Sequence, residues 1–122
     1  MNSVSSPFIE TAPADIDRKI DEAHVSADDV LVKVEGDLSD ASTFGSEWLV
    51  VTSDQILVVP EGGSNGTQQA TIDDVKDVRV DDLVGGGVVE FDTTKGPPVR
   101  IGFTQSLRPK FAEIAESVKA MT

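Results

Sequence analysis

Apolar and polar positions alternate along the middle of this chain and fall at helical spacing near its ends. Pro13 opens the first helical stretch, with Ile16, Ile20 and Ala23 or His24 on one face. That stripe is thin and predicts a short helix that packs weakly or frays. From Asp29 the period shortens to two. "DVLVKVEG" sets Val30, Val32 and Val34 on one side. "SEWLVVTSDQILVV" reads as strands over Trp48 to Val51 and Ile56 to Val59, joined by a two-residue turn at Ser53 and Asp54. "EGGSNG" is a longer turn, and "TQQATID" a more polar strand suited to a sheet edge. "VKDVRV" points Val78 and Val80 inward, "VVEFD" Val89 and Phe91, and "VRIGF" Val99, Ile101 and Phe103. The last stretch returns to helical spacing, with Leu107, Phe111, Ile114, Ala115, Val118 and Met121 on one stripe. Ser106 is the expected N-cap, and Pro109 falls in the first turn, where no backbone donor is needed.

The order predicts an α+β, mainly β chain: an antiparallel barrel or bent sheet closed by one C-terminal amphipathic helix. Residues 1–28 form a flexible arm with a short helix. Residues 29–122 form the domain, with strands over 29–104 and the closing helix over 106–121.

Composition narrows the function. The 122 residues carry a net charge of −12, which disfavours nucleic acid and anionic lipid as partners. There is no cysteine, so disulfides and thiolate metal sites are excluded, in keeping with the cytoplasm. The first residues lack the basic start and apolar run of a signal peptide, and no apolar segment has the length of a membrane span.

"LVGGGVVEF" raises the possibility of a phosphate loop. Such loops lead into a helix, with a lysine directly after the glycines in the Walker form; here a strand follows and the first lysine is Lys95. Gly85, Gly86 and Gly87 therefore read as a structural connection between two strands. Asp73, Asp74, Asp77, Asp81 and Asp82, like Asp37 and Asp40, lack the order of a calcium loop and read as solvated acidic surface. His24, the single histidine, has no cysteine to share a structural zinc site and no elbow-like serine nearby. No convergent catalytic set is present, so the chain is expected to be non-catalytic and to need no metal or cofactor. Lys33 stands alone before an acidic loop, which argues against a lipid headgroup at the first hairpin. Positive charge is concentrated instead near the last strand and the helix start, where Arg100, Arg108 and Lys110 mark a candidate docking point for an acidic protein segment or a phosphate.

"GSEWLVVTSDQILVV", "IDDVKDVRVDDLVGGGVVEF" and "SLRPKF" before a helix occur in that order. Together they resemble the N-terminal pleckstrin-homology-like (PH-like) region ahead of some bacterial ABC exporters, notably those of planctomycetes, from about Asp29 onward. The resemblance implies an accessory or regulatory domain on the cytoplasmic side of a transporter, which is expected to bind a protein segment or the transporter's own domains at a sheet edge, by strand addition, or in the groove beside the closing helix. ATP binding would belong to a part not shown. A free-standing PH-like module that binds a lipid headgroup or a peptide is the alternative; a complete small protein can end as this chain does.

Overall fold

The computed structural model describes residues 8–37, 46–61 and 67–121. Helix α1 (Ala14–Glu22) precedes strands β1 (Val30–Gly36), β2 (Glu47–Thr52), β3 (Gln55–Pro60) and β4 (Gln68–Thr71). Strands β5 (Val75–Leu83), β6 (Gly86–Thr93) and β7 (Val99–Thr104) follow, and helix α2 (Arg108–Met121) closes the chain. The strands form two antiparallel sheets, β1-β2-β3-β4 and β5-β6-β7. The α+β, mainly β architecture with a closing C-terminal helix is therefore as the pattern predicts.

The main core lies between the two sheets and under α2. Leu49, Val51, Ile56, Val58, Val89, Phe91, Ile101 and Phe103 meet Phe111, Ile114, Ala115 and Val118 there. The Phe103 and Phe111 rings stack, with centroids 4.9 Å apart and 6° between planes. Strand β7 touches every strand of the other sheet. Where its middle meets the end of β1, both chains carry glycine: a side chain at Gly36 would strike the Gly102 carbonyl oxygen and the Ile101 side chain.

A second core covers the outer face of the four-stranded sheet. Trp48, Val50, Leu57 and Val59 point away from the main core and pack against Ala12, Ile16, Ile20 and Val25. The weak packing expected of α1 is not observed, because Ile16 and Ile20 are buried in this second layer. The chain before it is also tied down: Lys33 donates its N–H to the Phe8 carbonyl at 2.7 Å, and Glu10 N–H donates to the Lys33 carbonyl at 2.8 Å. The rest of the expected arm, residues 1–7, lies outside the described residues.

Helix α1 ends in a Schellman arrangement. His24 N–H donates to Asp21 O at 2.9 Å and Val25 N–H to Ile20 O at 3.3 Å, with His24 at φ 64°. The histidine is exposed and takes the left-handed position where glycine is usual, which gives it a structural role.

Three local expectations change. A register shift between Val30 and Val32 breaks the alternation of β1, so Val30 packs on the α1 side while Val32 and Val34 enter the main core. Ser106 is not the N-cap of α2: it lies inside a 3-10 turn, Gln105–Leu107, that leads directly into the helix. The glycine run divides between two roles. Only Gly85, at φ 83°, belongs to the two-residue turn with Val84; Gly86 and Gly87 are strand residues pressed against β7.

Candidate binding surface

Each cation singled out in the sequence holds a different carboxylate. Arg100, on β7, places Nε 3.2 Å from Glu90 on β6. Arg108, the first residue of α2, pairs with Asp82 at the end of β5. Lys110 donates to Glu10 at 2.6 Å, with its ammonium 5.9 Å from the Phe111 ring centroid. Two of the three thus fasten the start of α2 to other parts of the fold.

The Glu10 carboxylate also accepts the Glu35 N–H at 3.0 Å, so it joins the N-terminal segment, β1 and α2. Burial pushes its pKa up, but the hydrogen bonds from Lys110 and Glu35 and the Lys110 charge outweigh this, and the net displacement is downward from 4.5. The folded state therefore prefers the ionised form. That contribution is complete above the unfolded value and is lost as pH falls through the lower folded value. Glu10→Gln is expected to cost about 1 kcal/mol at neutral pH, an amount kept small by partial exposure. Denaturation of both proteins across pH checks this: their difference should close below pH 4.5.

Sheet edges decide where a partner segment can add a strand. The outer edge of β7 is partly occupied by side chains. Gln68 donates its amide N–H to the Arg100 carbonyl at 3.0 Å and accepts the Arg100 N–H at 3.1 Å. Asp37 accepts the Thr104 N–H at 2.8 Å and its hydroxyl at 2.7 Å. The edge of β1 is partly covered by residues 8–10. Strand β4 is short and polar.

Strand β5 is nine residues long and pairs only with β6. Its ladder alternates from the Leu83 and Gly86 pair beside the turn. This register turns the N–H and C=O groups of Val78, Val80 and Asp82 away from β6, and they take no partner among the described residues. Beside this edge, Val78, Val80, Ala112, Ala115, Glu116 and Lys119 line a cavity of about 280 Å³ between β5 and α2. Four of these residues are apolar, and Glu116 and Lys119 supply charge of both signs. On the opposite face of β5, Arg79 bridges Glu90 and Asp92, and its pKa is raised chiefly by the hydrogen bond to Glu90.

The sequence reading placed a partner at a sheet edge or in the groove beside the closing helix, but the residues it named were charges, not the ones that line this groove. Its signal was present in the alternation of Val78 and Val80 and in the small residues Ala112 and Ala115, which leave room beside the strand.

Among the described residues, no three of histidine, cysteine, aspartate and glutamate gather to hold a metal ion. Asp40 lies outside the described residues. No helix among them is long and apolar enough to cross a membrane. Comparison with protein-family models, curated proteins and solved structures finds no match.

Proposed function

We propose that this chain is a non-catalytic, PH-like protein-interaction domain that binds an extended peptide segment along β5, in the groove beside α2. The observation that carries this reading is the unpaired β5 edge next to a cavity lined by Val78, Val80, Ala112 and Ala115, while β7 and β1 have their edges partly occupied. An added strand would take its main-chain hydrogen bonds from Val78, Val80 and Asp82. An apolar side chain of the segment would enter between Val80 and Ala112. The resemblance of the strand and helix-start motifs supports a parent protein of the bacterial ABC exporter kind. There the domain would act on the cytoplasmic side and bind the transporter's own chain or an associated segment.

A random extended-peptide library selected against the whole chain tests the binding reading. Val80→Pro removes an edge donor that β6 does not use, and the fold should survive it. Selected peptides are expected to lose about tenfold in affinity for this variant. Peptides that bind both proteins equally would place the ligand elsewhere and end the proposal. For the parent protein, an antibody to this domain should detect a band far larger than 12.9 kDa in the membrane fraction of native cells. A soluble band of this chain's own size would remove the transporter part.

A further inference from the structure

A second cavity lies where α1, the segment before it and β1 converge. Its volume is about 450 Å³, and Ile9, Ile20, Val25 and Val30 form its apolar lining. Three charged residues complete it: Asp17 and Asp21, one turn apart on α1, and Lys33 on β1. Lys33 is held by Asp17 at 3.3 Å, which leaves Asp21 as the uncompensated charge. Asp21 has no cation partner among the described residues, and it sits in the last turn of α1, where a negative charge opposes the helix dipole. Lys19, two residues away, turns instead to the Pro60 carbonyl and Asp15.

We propose that this cavity is a docking site for a basic, amphipathic segment of a partner protein. A lysine or arginine side chain lays its aliphatic stem over Ile20 and Val25 and brings its charge to Asp21. A neighbouring apolar side chain covers Ile9, which is 49% exposed. Charge complementarity selects this occupant. The lining carries two carboxylates and one ammonium, a balance of −1, and the chain as a whole carries −12. An anionic ligand would have to displace Asp17 from Lys33 against that field. The site is independent of the β5 groove and does not rest on it.

The test uses the whole chain and a capped heptapeptide of alternating leucine and lysine, with a glutamate-for-lysine counterpart as control. Backbone amide shifts are followed by NMR at low and moderate salt. The lysine peptide should move the amides of Ile20, Asp21, Val25 and Val30 together, and the glutamate peptide should not. Asp21→Asn keeps the side-chain shape and removes a charge unfavourable to α1, so the variant should fold at least as well. It should weaken the lysine peptide about fivefold, while Asp73→Asn, a remote exposed carboxylate, should leave affinity unchanged. Equal weakening by both variants, or shifts scattered over the acidic surface, would reduce the effect to general attraction and overturn the site. No shift at the cavity would overturn it as well.

Discussion

Phe111→Ala should destabilise the protein by about 4 kcal/mol, the sum of lost transfer energy and the void left behind. The ring is wholly buried, and Phe103 lies flat against it. Phe103 comes from the strand that touches every strand of the other sheet, so the pair fixes α2 to the junction of both sheets. Leu107, only partly buried at the edge of the same core, should cost about 1 kcal/mol when shortened to alanine. Urea denaturation of the two variants measures the contrast. A Phe111 cost near that of Leu107 would mean that α2 is not anchored through this ring. The loss should also reach binding. α2 forms one wall of the β5 groove, so a loosened helix should weaken groove peptides even where the sheets persist.

Gly86→Ala should cost about 3 kcal/mol, at the upper end of ordinary overpacking, because the obstacle is backbone. A methyl group at Gly86 would land on the Phe103 carbonyl oxygen and crowd the Cα of Thr104. Neither atom can swing aside, since Gly86 and Gly87 are paired with Thr104 and Phe103 in the β6–β7 ladder. Gly85→Ala meets nothing within 4 Å, but its φ of 83° costs an alanine about 1 kcal/mol. Thermal melts of the two single variants separate close packing from turn conformation. Equal losses would mean that Gly86, like Gly85, serves only the turn. The measurement bears directly on the phosphate-loop question, because a glycine whose missing side chain is needed by β7 is explained without a ligand.

Much of this fold was legible in residue order. The alternation in "VKDVRV" and "VRIGF" gave the correct faces because each strand has the core on one side and solvent or a rim on the other. The stripe from Leu107 to Met121 gave α2 because the helix lies on a single surface. The misreading of α1 began in the strands. "WLVV" and "ILVV" are unbroken apolar runs, and such runs mean strands covered on both faces. Something had to cover the outer face of β2 and β3, and the one apolar stripe left for it was Ile16 and Ile20. Judged alone, that stripe looked too thin to pack. The break in β1 was hidden because a bulge has no signature in "DVLVKV". The start of α2 was displaced because Ser106 fits a 3-10 turn as well as a cap.

The candidate binding surfaces were less readable, for a different reason. Charge is visible in a sequence, but pairing is not. Arg108 and Lys110 looked available until Asp82 and Glu10, distant in the chain, proved to hold them. Open strand edges are likewise a property of topology. Nothing local distinguishes β5 from β7, yet Gln68 and Asp37 take up part of one edge and leave the other.

The chain's single tryptophan lies in the second core, under α1, with its indole N–H donated to Glu61 at 3.0 Å. Its emission is therefore an optical gauge of the outer layer alone. Lifting α1 from the sheet should redden and quench it, while occupation of the β5 groove on the far side should leave it dark to the event. One protein thus carries its own reference channel for telling its two surfaces apart.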